Sequence, residues 1–195
     1  MQGEYREKRH MTSDCWAEEM RGTRYHEAGH AVAAYYHGYT ITRVSATDED
    51  WRTSYRRLAS GGGWADLWRE GCVIMAGLLA EHYAAWGEMG PEPWWAEFLV
   101  EAEQQQELVG DDEDWMIGEY SELLQLLQQM NSDRMDPEPE GAYRIVEEDT
   151  RRLVTDHWVE IEAVAGALEQ KGALDGPEVM LIIERASRSD ESAHG

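Results

Sequence analysis

Two histidines four residues apart, with a glutamate directly after the first, constrain this chain more than any other feature: His26-Glu27-Ala28-Gly29-His30. A helix advances about 400° over four residues, so His26 and His30 fall about 40° apart on one face, one turn apart. Two imidazoles so placed can reach one tetrahedral Zn²⁺ at roughly 2.0–2.1 Å. Glu27 then stands where a carboxylate can hold a water beside the metal and take its proton. The bland alternative is a surface helix that carries two unrelated histidines.

At 195 residues the chain is long enough for one domain with a substantial core. The expected division is a polar tail over residues 1–10, a domain over 11–186 and a second polar tail over 187–195. The net charge is −23, and Lys8 and Lys171 are the only lysines. Such a chain does not suit nucleic acid, whose phosphates call for clustered Lys and Arg, and anionic membranes repel it. The charge fits a solvated acidic surface better than selection for basic substrates. The charged start MQGEYREKRH has no apolar run behind it, and the longest apolar stretch, Cys72 to Ala80, is too short to span a bilayer. Cys15 and Cys72 make neither a CxxC pair nor a disulfide framework. The expectation is a cytoplasmic protein with a reduced core thiol at Cys72.

Periodicity predicts a mainly α fold with a small β-sheet, an α+β class. The first helix carries the motif, with Thr23 as its expected cap, Ala28, Ala31, Val32 and Tyr35 on its apolar face, and Gly38 as its stop. Tyr39 to Ser45 reads as a strand, Thr47 to Asp50 as a polar turn and Thr53 to Leu58 as a returning strand. Gly61-Gly62-Gly63 is a linker, because no Lys-Ser or Lys-Thr follows it to contact phosphates. Trp64, Trp68, Cys72, Met75, Leu79, Tyr83 and Trp86 predict a long core helix ended by Gly87. Residues 87–109 read as an insertion. Leu123, Leu127 and Met130 belong to a further helical pattern, and Tyr143 to Leu168 to another helix. Asp175-Gly176-Pro177-Glu178 has capping-box spacing and opens a last short helix through Ile183.

A catalytic zinc takes three protein ligands and keeps a fourth position open. The class with a glycine three residues after the second histidine and a third histidine three later is excluded, because Ala33 and Tyr36 occupy those positions. His37 lies two turns from His30, about 10 Å along the axis, and reads as a helix-terminal cation. Carboxylates remain: Glu49 in a turn, Glu81 on the edge of a packed helix, and the cluster Asp111-Asp112-Glu113-Asp114 ahead of a helix. The cluster ranks first, without a choice among its members.

Tyr25 through Val32 resembles the active-site helix of the FtsH-type zinc metallopeptidases, the protease part of ATP-dependent proteases. Ala76-Gly77-Leu78-Leu79-Ala80-Glu81 resembles that family's Ala-Gly-x-Ala-Ala-Glu helix, and His157-Trp158 through Val179 its closing helices. Gly110 to Trp115 stands where the family has Gly-Ala-Ser-Asn-Asp-Leu, whose Asp is the third ligand. The resemblance covers roughly residues 20–185 and implies one Zn²⁺ on His26, His30 and Asp114, with Asp111 or Asp112 as the alternatives, and Glu27 as general base. It implies a helical zincin-like fold and endopeptidase action on flexible or unfolded polypeptide. The family's ATPase motor and membrane helices have no counterpart in this sequence, so the expected activity is ATP-independent, alone or with a homo-oligomer or separate partner protein. The rival expectation is a metal-stabilised module that binds peptides or a partner with little or no turnover.

Overall fold

The computed structural model describes residues 13–56, 63–87, 122–123, 125–130, 132 and 139–194. These residues form a mainly helical α+β fold around one central helix. Helix α1 (Ser13–Tyr36) is followed by β1 (Thr40–Ala46), β2 (Trp51–Arg56) and α2 (Trp64–Trp86). After the intervening segment come α3 (Pro139–Asp156), α4 (Trp158–Lys171), β3 (Ala173–Asp175) and α5 (Gly176–His194). The insertion expected at 87–109 lies outside the described residues beyond Gly87, as do the acidic cluster 111–114 and the tail 1–10.

Helix α1 is buried on more than the single face its apolar pattern suggests, since Ala28, Ala31, Val32, Ala33 and Ala34 are all sealed from solvent. Small side chains allow this. A Cβ at Gly29 would come within 2.4 Å of the Ala76 carbonyl oxygen, so α1 and α2 cross almost backbone to backbone. The helix begins at Ser13, which places Thr23 inside it rather than at its cap. Nothing between Asp14 and Arg21 breaks a helix, and good helix formers (Ala17, Glu18, Glu19, Met20) carry it backwards. It ends as expected at Gly38. With φ of 79°, Gly38 lets its own N–H reach the Tyr35 carbonyl and the Tyr39 N–H reach that of Ala34, a Schellman motif.

The sheet has order β2-β1-β3, antiparallel throughout. The hairpin pairs Ala46 with Trp51 and Thr40 with Arg56, with a register shift between Ile41 and Arg43. Ile41, Val44 and Ala46 turn inward. The third strand has no signature in the sequence, because three residues are too few to show alternation; it forms because Leu174 is buried opposite Val44. Among the described residues β2 is therefore an edge strand of the sheet.

Helix α2 runs over the expected span, and Gly87 closes it at φ 71°. Leu123, Leu127 and Met130 are buried in the core, as their spacing predicts. The single helix expected over Tyr143–Leu168 is two helices, broken at His157 with φ −117° and ψ 26°. Aromatic packing on α1 accounts for the break: the His157 ring stacks on Tyr36 at 3.6 Å and Trp158 on Tyr25 at 5.3 Å. The Glu178 N–H is capped by Asp175 Oδ1 at 2.9 Å, but α5 runs past Ile183 to His194, through the segment expected to be a polar tail. Among the described residues no helix is long and apolar enough to cross a membrane.

Candidate metal and catalytic site

The central helix brings His26, Glu27 and His30 into the core together, at 0, 2 and 6 % exposure. Ionisable side chains this buried need specific partners, and each has one. His26 Nδ1 lies 3.0 Å from Glu81 Oε2, and His30 Nδ1 lies 2.8 Å from the Val73 carbonyl oxygen. A carbonyl and an ionised carboxylate can only accept, so both Nδ1 atoms carry the proton. In a ring that carries only that proton, Nε2 is a lone pair.

Those two Nε2 atoms face each other at 2.9 Å. Two acceptors at that separation repel unless a cation lies between them, either a proton on one ring or a metal. Two nitrogen ligands of a tetrahedral zinc at about 2.0–2.1 Å lie about 3.3 Å apart, a few tenths of an ångström from the separation observed. The pair also matches the arrangement in which a metal-ligating histidine donates its other N–H to a carboxylate or carbonyl. The seat of His30 is cut to the ring: a Cβ at Gly77 would fall 2.4 Å from His30 Nε2. The two imidazoles are spaced as two ligands of one zinc ion would be.

Glu27 is oriented by the sheet. Thr53 Oγ1, on β2, donates to Glu27 Oε2 at 2.8 Å and is also 2.9 Å from the Glu27 carbonyl oxygen. Tyr55, two residues on, donates to Glu70 Oε1 at 2.9 Å, so β2 is tied to α1 and α2 in turn. Glu27 and His30 open into a cleft of about 750 Å³ walled by β2, the β1–β2 turn, Ile74 and Glu122.

The candidate ligands separate clearly. Glu81 contacts His26 through Nδ1, away from the facing Nε2 atoms, which makes it the carboxylate that holds the ring. Glu49 lies in the turn at the cleft wall. Asp114, Asp111 and Asp112 lie outside the described residues, and among the described residues no third His, Cys, Asp or Glu completes a metal group. His37 is not the helix-terminal cation expected of it. Burial, reinforced by the Arg69 guanidinium, holds its imidazole below the usual value, and its ring lies edge-on to Trp68. Cys72 is a free buried thiol whose pKa burial pushes up to about 12.

Sequence reasoning missed Thr53, Gly77 and the Val73 carbonyl. Thr53 was legible only as a strand residue, since its alternation places it inward but says nothing of Glu27. Gly77 was visible within a small-residue run, without its role as the floor under His30. No family model matches the chain, and no curated protein matches it.

Proposed function

We propose that this chain is a zinc-dependent endopeptidase of the FtsH type, acting on flexible or unfolded polypeptide. One observation carries the reading: two buried imidazoles whose Nδ1 atoms are engaged by Glu81 and the Val73 carbonyl and whose Nε2 atoms approach each other at 2.9 Å. His26 and His30 would hold the metal, with Asp114 as third ligand on the strength of the family resemblance. Glu122, eight residues after Asp114 in the sequence, lines the cleft. Bound there, zinc would lower the pKa of water and polarise the scissile carbonyl.

The chain's own groups do the rest. Glu27 takes the proton of the attacking water and returns it to the leaving amine. The Thr53 hydroxyl donates to Glu27 Oε2 and so fixes how the carboxylate is turned. Strand β2, at the sheet edge among the described residues and anchored through Thr53 and Tyr55, would align an extended substrate by strand addition. A binding module stabilised by zinc would leave the buried Glu27 and its Thr53 partner without a task, since structural zinc needs no general base.

The test is zinc content per chain together with cleavage of an unfolded protein by wild type and Glu27→Gln. Stoichiometric zinc with cleavage that Glu27→Gln abolishes is the expected result. Bound zinc with equally negligible cleavage in both proteins would sink the enzyme reading.

A further inference from the structure

The cleft beside Glu27 is charged on one side. Among the described residues its lining brings Asp48, Glu49 and Asp50 of the β1–β2 turn, together with Glu122, against one guanidinium, Arg52 of β2. That guanidinium is already engaged: Arg52 Nε lies 2.8 Å from Asp50 Oδ1, while Asp50 Oδ2 accepts from the Ser45 hydroxyl at 2.8 Å. The Ser45 hydrogen bond, more than Arg52 or Arg43 nearby, keeps the Asp50 carboxyl below the usual carboxylate range. The Asp50–Arg52 pair is neutral as a unit, so Asp48, Glu49 and Glu122, all exposed, set the sign of the wall.

The strand supplies a ruler. Thr53 is level with Glu27, since its hydroxyl touches the carboxylate. Asp50 lies three residues before Thr53, about 10 Å along extended backbone at about 3.4 Å per residue, and Glu49 and Asp48 lie just beyond it in the turn. A polypeptide laid on the β2 edge advances at the same rise. These carboxylates are exposed, so their attraction weakens as salt rises.

We propose that this cleft selects cationic polypeptide: an extended segment with Lys or Arg about three or four residues from the bond at Glu27, read by Asp48, Glu49 and Glu122. The bond position rests on the hydrolase reading above; the charge selection rests on the cleft wall. It differs from the diffuse attraction of a chain of net charge −23, because that attraction does not depend on where in the peptide the cation sits.

The experiment uses three labelled peptides that differ only in charge placement: Lys three residues from the central bond, Lys moved to the far terminus, and Glu in place of Lys. Binding to the full-length Glu27→Gln protein is read by fluorescence anisotropy at low and at physiological salt, and cleavage by the zinc-loaded wild type is read in parallel. The first peptide is expected to bind about tenfold tighter than the third, the lower end of what a charged cleft contributes, and about threefold tighter than its positional isomer. Combined Asp48→Asn, Glu49→Gln and Glu122→Gln substitutions are expected to remove both preferences. Glu162→Gln, on the exposed side of α4 and not part of the cleft, is expected to keep them. Isomers that bind alike, or a preference that survives the triple substitution, would overturn the proposal. Preferential binding without cleavage by wild type would leave charge selection standing and sink hydrolysis; equal kcat/KM on all three would do the reverse.

Discussion

Gly77 is where the fold and the metal reading can be separated by one methyl group. An ideal Cβ at this position lies 2.4 Å from His30 Nε2, 2.5 Å from Cε1 and 2.9 Å from Cδ2. Carbon contacts settle at about 3.5–4.0 Å, so Gly77→Ala drives the ring back by about 1 Å. The ring is not free to yield, because Nδ1 is held by the Val73 carbonyl at 2.8 Å. A retreat of that size stretches the bond towards about 3.6 Å, where it no longer counts as one. Overpacking costs about 1–3 kcal/mol and a weakened buried hydrogen bond about 1 kcal/mol, while alanine in place of glycine returns about 1 kcal/mol of helix propensity. The variant should therefore fold, with a net loss of about 1–3 kcal/mol. Metal sites tolerate about 0.2 Å of ligand misplacement, so zinc affinity should fall at least about 100-fold, well beyond the loss in stability. Affinity is read by competition with a chromophoric chelator, and stability by calorimetry in EDTA, so that folding is measured without metal. Gly166→Ala in α4 is the control. Its Cβ meets nothing within 4 Å, so it should gain up to about 1 kcal/mol and keep zinc unchanged. A folded Gly77→Ala protein with wild-type zinc affinity would refute the assignment of His30 Nε2 as a ligand.

Other substitutions probe the remaining parts. Thr53→Val removes the hydroxyl from Glu27 Oε2; a hydrogen bond to a charged group contributes about 1.5–3 kcal/mol, so kcat should drop roughly tenfold or more with zinc content intact, and an unchanged kcat would remove Thr53 from the mechanism. Glu81→Gln should weaken zinc about 10–100-fold by loosening the His26 ring; a variant that binds no zinc at saturating metal would make Glu81 a ligand instead. Burial depresses the His37 pKa below 6.5, so the unfolded chain takes up the proton first as pH falls. Stability should be full above pH 6.5 and decline below it, and His37→Phe, which keeps a ring against Trp68, should flatten that decline; parallel melting curves of the two proteins across pH would contradict a neutral His37. With its thiol pKa raised to about 12, Cys72 in a Cys15→Ala background should resist alkylation near neutral pH until the protein is unfolded, and prompt reaction would overturn its burial.

Much of the scaffold was legible because local chemistry and tertiary structure agree. Glycine stops at Gly38 and Gly87 and the Asp175 cap are backbone signals that act within a few residues, and each does what its sequence context implies. The helix break at His157 was not legible. Its cause is the ring of Tyr36, more than a hundred residues away, and nothing within a helical window reports such a contact. The third strand failed to register for the same reason, since Leu174 becomes strand only by pairing with Val44. His37 misled because its position at the end of α1 suggests a charge, whereas burial and the Arg69 guanidinium disfavour one.

The site divides along the same line. Spacing alone placed His26, Glu27 and His30 on one helix, and the helix carries them. What orients them comes from two other elements: Glu81, Val73 and Gly77 from α2, and Thr53 from β2. Each of these acts through space, on a ring or a carboxylate whose neighbours in sequence give no hint of it. Glu81 shows the consequence most plainly. As a carboxylate in the right part of the chain it qualified as a ligand, and only the side of the His26 ring that it touches assigns it the other role. A motif therefore identifies the atoms that meet a metal, while the direction in which their lone pairs point is a property of the packed core.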